Sequence, residues 1–251
     1  MMPVLAVIPA RLGSTRLANK PLQLLAGEPL IIRVAQRVAS MGLADRVVVA
    51  TDAAEIGVPV GKAGFEVAMT SPAHASGTDR VAEVAGRPEF RSFDVVVNVQ
   101  GDEPFLPEAA VEGAVRRVRG GDDIGTASAP LDAAAARDPS RVKVVTDLAG
   151  HALYFSRAPI PYWRDGAAAP EGLYRQHLGI YAFGAAVLAR WASLAPTILE
   201  HAEKLEQLRA MEHGFTIGVA RLAEPALPGI DTADDLRRAE AHWHATQKGS
   251  R

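Results

Sequence analysis

The stretch that most constrains this chain is Val4–Lys20, VLAVIPARLGSTRLANK. Its apolar run, Val4 to Ile8, reads as a buried strand. Pro9 breaks that run into a loop, which sets Arg11, Arg16 and Lys20 around Gly13, Ser14 and Thr15, small residues whose amides can turn toward an anion. So many cations on one short loop call for an anionic partner. In open α/β sheets ligands gather at the carboxyl ends of the strands, which points to the triphosphate of a nucleotide.

The segments that follow repeat the opening pattern. Leu30–Met41 carries apolar residues at helical spacing and stops at Gly42, and Arg46–Ala50 is a short buried strand ending at Thr51-Asp52. Helices at Glu55–Ala63, Thr78–Ala85 and Pro107–Arg119 alternate with strands at Phe65–Met69, Asp94–Val99 and Gly125–Ala129. Such alternation predicts a mostly parallel sheet with right-handed crossovers, a Rossmann-like α/β/α arrangement. Val142–Thr146 and Ala152–Ser156 then read as a hairpin turned at Leu148-Ala149-Gly150, an antiparallel insertion. Beyond it come a Pro-, Gly- and Ala-rich loop over Ala158–Gly172, a strand at Leu178–Phe183, helices at Ala185–Ser193 and Ala202–Glu212, and a strand at Thr216–Val219. Thr232 caps a final helix. We expect one domain over 1–251, with a distinct lobe at about 142–220.

Composition removes whole classes of function. A net charge of −2 argues against nucleic acid as a polymeric partner, and 48% hydrophobic residues are enough for a sizeable core. Cysteine is absent, which excludes disulfides, thiolate metal sites and thiol nucleophiles, and fits a reducing compartment. Pro3 and Arg11 come too early for a signal-peptide core, and no apolar run approaches the ~18 residues of a membrane span. The expected setting is therefore soluble and cytoplasmic. Gly57–Lys62, GVPVGK, is one residue short of a P-loop, and no G-x-G-x-x-G follows the first strand. G-x-S-x-G and H-E-x-x-H are also absent.

Several motifs carry candidate chemistry, each beside a plainer role. Asn98–Pro104, NVQGDEP, follows the most apolar strand, so Asp102 emerges where Arg11 does. It can hold a divalent cation, or merely turn the chain beside Gly101. Asp231, before the last helix, is the natural second metal ligand or a helix N-terminal residue. Magnesium suits such a pair, since it takes one or two carboxylates together with substrate phosphates. Ser76, Gly77 and Thr78 precede a helix and can contact a nucleotide or simply cap it. Arg157 can clamp a carboxylate bidentately while His177 and Tyr181, on one face of a strand, hydrogen-bond hydroxyls. A half-buried sheet face with a satisfied histidine is the plainer role there. Glu206 lies off the Leu205, Leu208 and Met211 stripe of its helix, free to reach a pocket or remain solvated.

Together these segments resemble the 3-deoxy-manno-octulosonate cytidylyltransferases. The resemblance rests on Ile8–Leu22, Val47–Asp52, Ala75–Arg80, Val97–Pro104, Val142–Val145, Ala152–Pro161, His177–Phe183, Glu203–Arg209 and Pro228–Leu236. VNVQGDEP, LYFSRAPIP and HLGIYAF in this order are its most specific part. It implies CTP and 3-deoxy-manno-octulosonate (KDO) as substrates, CMP-KDO and pyrophosphate as products, magnesium as cofactor, a homodimer, and the activation of KDO for lipopolysaccharide. It further implies nucleotide contacts from Ala10, Arg11, Gly13, Ser14, Lys20, Ser76, Gly77 and Arg80, and magnesium on Asp102 and Asp231. Those two aspartates, with Arg11 and Lys20, make up the implied catalytic set. Arg16, Gln100, Arg157, His177, Tyr181 and Glu206 would surround the sugar acid. Two departures stand out: Ala18-Asn19 where the family often has Pro-Gly, and Gln176 where a basic residue is common. Cytosine recognition does not follow from any side-chain motif. Rival readings are a transferase for sialic acid or a sugar 1-phosphate, and a nucleotide sensor without catalysis. The apolar HLGIYAF strand and its neighbouring hairpin are the expected dimer surface.

Overall fold

A computed structural model describes residues 2–13, 16–74, 76–165 and 168–248. Its chain divides into two compact units, Met1–Phe93 with Asn98–Leu106 and Leu227–Arg251, and Asp94–Val97 with Pro107–Ala226.

The first unit opens with β1 (Val4–Ala10), whose side chains are almost all buried, as an unbroken apolar run requires. Two-residue strands β2 (Leu24–Leu25) and β3 (Glu28–Pro29) form a small hairpin before α1 (Leu30–Ser40). Leu30, Ile31, Val34, Ala35 and Val38 of α1 are buried at helical spacing, and the chain turns away at Gly42, whose φ of 64° favours a residue without Cβ. β4 (Arg46–Thr51), α2 (Ala54–Lys62), β5 (Glu66–Met69) and α3 (Gly77–Ala85) follow. β1 pairs parallel to β4, from Leu5 opposite Arg46 to Ala10 opposite Thr51, and β4 pairs parallel to β5. Loops leaving β1 and β4 therefore emerge at the same edge. The expected elements of this unit hold to within one or two residues.

β6 (Val95–Val99) is wholly buried. After it the second unit builds α4 (Glu108–Arg119), β7 (Ile124–Leu131), β8 (Lys143–Thr146), β9 (Ala152–Ser156) and β10 (Tyr174–Gly184). It closes with α5 (Ala185–Trp191), α6 (Ile198–Glu203), α7 (Gln207–Glu212) and β11 (Ile217–Arg221). β11 runs parallel to β7 and β10 antiparallel to it, while β8 and β9 make the expected antiparallel hairpin. With the parallel pairs of the first unit this is the mostly parallel α/β fold read from the alternation, with a small antiparallel insert.

Three expectations are corrected in the second unit. β10 starts four residues before Leu178, because Tyr174 to His177 continue the ladder with β7 and Gln176 also pairs with Lys143 of β8. The helix expected at Ala202–Glu212 is two short ones, broken where Lys204 turns left-handed at φ 54°. That break lets Leu205 and Leu208 point inward while Glu203 serves β9. HLGIYAF is also too buried to be a surface, with Leu178, Ile180, Ala182 and Phe183 all in the core, whereas the hairpin does expose Leu153.

α8 (Ala233–Lys248) returns to the first unit, capped as expected. The Thr232 hydroxyl accepts from the Asp235 amide at 3.2 Å, and the Asp235 carboxylate accepts from the Thr232 amide at 2.8 Å. Arg33 lies 4.5 Å over the Trp243 ring, and the Glu240 carboxylate accepts from the Ala26 amide at 2.9 Å, which docks this helix on the β2–β3 hairpin.

Candidate active site

In the first unit the loop after β1 meets the two aspartates. Lys20 Nζ donates to Asp102 Oδ2 at 2.5 Å and to Asp231 Oδ1 at 3.0 Å, and Arg16 reaches Asp231 Oδ1 at 3.0 Å. Local chain geometry sets this up. Gly101 sits where a Cβ would stand 3.0 Å from the Pro9 carbonyl, so glycine lets the strand end pass close to β1 without displacing its backbone. The Asp102 carbonyl accepts from the Ile230 amide at 2.9 Å, which ties the segment carrying one aspartate to the segment carrying the other. The Asp231 amide in turn donates to Asp235 at 3.2 Å.

Burial works against the Lys20 ammonium, yet Asp102 and then Asp231 hold its pKa above the ordinary lysine value. Glu103, a residue to which sequence reasoning gave no role although QGDEP contains it, is pushed up to about 8 by burial and by repulsion from Asp102 and Asp231. At neutral pH it is therefore mostly protonated. It packs beside Gly229, where a Cβ would stand 3.2 Å from its Oε1. The signal was present in the sequence as adjacent acidic residues, which cannot both stay charged in a partly buried turn.

A divalent cation fits this donor set. Asp102 and Asp231 supply only oxygen, and their carboxylates already gather positive charge from Lys20 and Arg16. Two carboxylates match what magnesium takes when phosphates complete its shell.

The remaining first-unit candidates are placed as follows. Ala10 ends β1 and is buried, while Arg11 and Gly13 beyond it are exposed; Ser14 lies outside the described residues. Gln100 follows β6, half-buried, its carbonyl accepting from the Glu103 amide. Ser76 spends its hydroxyl on the α3 cap, accepting from Asp79 at 3.1 Å, while Asp79 returns a bond to the Ser76 amide. Gly77 begins α3 against Pro9, where a Cβ would lie 3.3 Å from the proline ring. Arg80 is buried, 3.1 Å from Asp52 and bonded to the Thr70 hydroxyl. A guanidinium this buried requires a carboxylate, which Asp52 supplies at the end of β4.

The second unit collects the other set. His177 and Tyr181 lie on β10 with ring centroids 5.3 Å apart, brought together across an irregularity in the ladder between Leu178 and Tyr181. His177 Nε2 shares a 2.9 Å hydrogen bond with the Thr126 hydroxyl, and the ring packs edge-on against Phe155. Burial lowers its pKa to about 3, so the imidazole is neutral. Burial, and then the Glu206 carboxylate, raises the Tyr181 hydroxyl well above the usual tyrosine value. Glu206 leads into α7 just after the break at Lys204. Arg157 follows β9, and three of its five N–H groups go to main-chain oxygens: Nε to Glu203 at 2.7 Å, Nη1 to Pro139 at 3.0 Å and Nη2 to Lys204 at 3.3 Å. Among the described residues, one N–H on each terminal nitrogen has no partner.

Known proteins resemble the chain from end to end. The cytidylyltransferase family model matches residues 5–217. A 3-deoxy-manno-octulosonate cytidylyltransferase of Gemmatimonas aurantiaca is 54% identical, over 96% of this chain and 95% of that protein. One of Anaeromyxobacter sp. is 49% identical over 96% of this chain and 97% of its own length. A solved structure of a CMP:2-keto-3-deoxy-manno-octonic acid synthetase complexed with CTP superposes with a TM-score of 0.89 at 38% identity, covering 97% of this chain and 99% of that one. The 4-diphosphocytidyl-2C-methyl-D-erythritol synthase of Anaerococcus prevotii, 12% identical with a TM-score of 0.63 over 97% of this chain and 99% of that one, shares the fold.

Proposed function

The chain belongs to the 3-deoxy-manno-octulosonate cytidylyltransferases, and from that premise we propose how its residues divide the transfer of CMP from CTP to KDO. The convergence of Lys20 on both Asp102 and Asp231 carries the reading, because it gathers on one spot a cation for phosphate and a carboxylate pair for a metal.

The C2 hydroxyl of KDO attacks the α-phosphorus in line. A bond from the C2 oxygen to phosphorus forms while the bond to pyrophosphate breaks; the hydroxyl loses its proton, and the electron pair leaves with pyrophosphate. No covalent enzyme intermediate is required. Arg11 and Lys20 neutralise the triphosphate, with Ala10, Gly13, Ser14, Ser76 and Gly77 alongside the nucleotide, and offset the charge that builds as pyrophosphate departs. Arg80, held by Asp52 and the Thr70 hydroxyl, joins that group. Magnesium, held by Asp102 and Asp231, supplies further neutralisation of the phosphoryl oxygens when bound.

In the second unit the sugar acid is taken by Arg157, His177, Tyr181 and Glu206. Arg157 offers its two remaining N–H groups to the carboxylate, and neutral His177 and the Tyr181 hydroxyl bond to sugar hydroxyls. The product feeds lipopolysaccharide assembly. A nucleoside triphosphate is drawn from the cell interior, and no helix among the described residues is long and apolar enough to cross a membrane, in keeping with a cytoplasmic enzyme. Leu153 at 61% exposure and Ile198 at 83% favour a homodimer formed through the second unit.

Pyrophosphate release tests the reading, with CTP against UTP, ATP and GTP, and with KDO, its 8-amino analogue and sialic acid as acceptors. Release with CTP and KDO is expected; silence with CTP and every 2-keto sugar acid contradicts it.

A further inference from the structure

Lys143 on β8 is fully buried, yet among the described residues no carboxylate lies within ion-pair distance of its ammonium. Nζ donates instead to two main-chain oxygens, that of Asp138 at 3.1 Å and that of Arg157 at 2.6 Å. Taking an ammonium out of water is costly, and an apolar side chain of similar length would fill the same space without that cost. What the ammonium holds accounts for its presence. On the opposite side of the same residue, the Arg157 amide donates to Glu203 Oε2 at 2.9 Å, while Glu203 Oε1 accepts from the Ser156 hydroxyl at 2.6 Å. Residue 157 is thus gripped at its amide by a carboxylate and at its carbonyl by an ammonium.

The side chain is set from the same place. The left-handed turn at Lys204 ends α6 with the carbonyls of Glu203 and Lys204 on the Arg157 guanidinium. One short helix end therefore orients both the main chain and the fork of this arginine.

We propose that Lys143 and Glu203 are positioning residues for the sugar acid: by clamping the peptide of Arg157 from both sides they fix the direction of its two unspent N–H groups. Neither touches substrate; each acts through Arg157, and the proposal rests on the assignment of Arg157 to the sugar carboxylate. Pre-set donors spare the ligand the ordering that a free arginine would undergo, so the gain falls on the sugar acid and not on the nucleotide.

The test is steady-state kinetics on Lys143→Met, Glu203→Gln, Arg157→Ala and the Lys143→Met/Arg157→Ala double variant, varying KDO and CTP separately. Lys143→Met is expected to raise the KM for KDO about tenfold while the KM for CTP moves by less than about twofold. In the Arg157→Ala background the same change should add nothing further. Glu203→Gln keeps an oxygen for the Arg157 amide, so it should shift the KM for KDO less, in the same direction, and it carries the test if Lys143→Met does not fold. Equal rises in both KM values, or additive effects in the double variant, overturn the proposal. If Arg157→Ala raises the KM for KDO and neither Lys143→Met nor Glu203→Gln does, the positioning role alone fails. If Arg157→Ala itself leaves that KM unchanged, the assignment of Arg157 fails and takes the proposal with it.

Discussion

Lys20 and Lys143 carry the same ammonium into opposite surroundings. Lys20 keeps 17% of its side chain exposed and sits between two carboxylates, themselves 22% and 35% exposed. Lys143 keeps none of its surface and donates to two main-chain carbonyls, with Asp138 and Glu203 acting on it only from beyond ion-pair distance. Asp102 and Asp231 raise the pKa of the first; burial lowers that of the second. The contrast extends to their neighbours. Around the Lys20 ammonium every partner is a charge that an incoming phosphate or metal can exchange with, whereas the Lys143 ammonium donates to main-chain oxygens and the same unit keeps His177 neutral. A site for highly charged ligands is built from replaceable ion pairs, and a site for a hydroxylated acid is built from fixed hydrogen bonds.

That contrast can be broken by experiment. The largest effect belongs to the carboxylates. Asp102→Asn should lower turnover by about two orders of magnitude, on the order of 3 kcal/mol in the transition state, while thermal unfolding stays near that of the parent. Near-normal turnover of the folded variant with magnesium would remove the exchangeable-charge account of the first unit.

Next comes the pH response of the second unit. An unfolded histidine binds its proton below about 6.5, but buried His177 does so only near 3, so in this window the unfolded state holds more protons. His177 alone makes stability fall as pH drops, by about 1.6 kcal/mol between pH 6.5 and about pH 5, while Glu103, pushed up to about 8, works in the opposite direction over the same range. Denaturant unfolding across that range should show His177→Gln gaining stability relative to the parent as pH drops, by about that amount, and Lys20→Met keeping the parent's slope. Equal slopes in His177→Gln and the parent would mean that the imidazole is not held neutral.

The smallest effect separates cap from contact at the start of α3. Ser76→Ala should cost about 1 kcal/mol of stability, the ordinary worth of such a cap. A rise in the KM for CTP beyond what that loss explains would show that the hydroxyl also serves the nucleotide.

The first unit was largely legible because its constraints are local. An apolar run, a proline break and a glycine stop determine β1, α1 and the loop between them, and the charges that matter lie on loops leaving buried strands. Asp102 and Asp231 could be named as a pair because the end of a buried strand and the cap of a helix are both visible in sequence. The burial of Arg80 was not legible, since it depends on Asp52 and Thr70, residues that an arginine's neighbours in sequence do not reveal. The second unit hid more for the same reason. The break at Lys204 answers to the needs of Ser156 and Arg157, far away along the chain, and a helical pattern runs through it uninterrupted. Lys143 sat inside VKVV as a polar interruption of an apolar strand, a pattern equally typical of a solvated edge. Only the carbonyls of Asp138 and Arg157, assembled by the fold, give it a partner.

Titration calorimetry of CTP with magnesium, in the absence of KDO, on the parent, Lys20→Met and Tyr181→Phe tests the division of labour most directly. The exchangeable-charge account predicts that Lys20→Met weakens CTP binding about tenfold or more, and that Tyr181→Phe leaves it within about twofold of the parent. Equal weakening by both variants, or parental affinity in Lys20→Met, would contradict it.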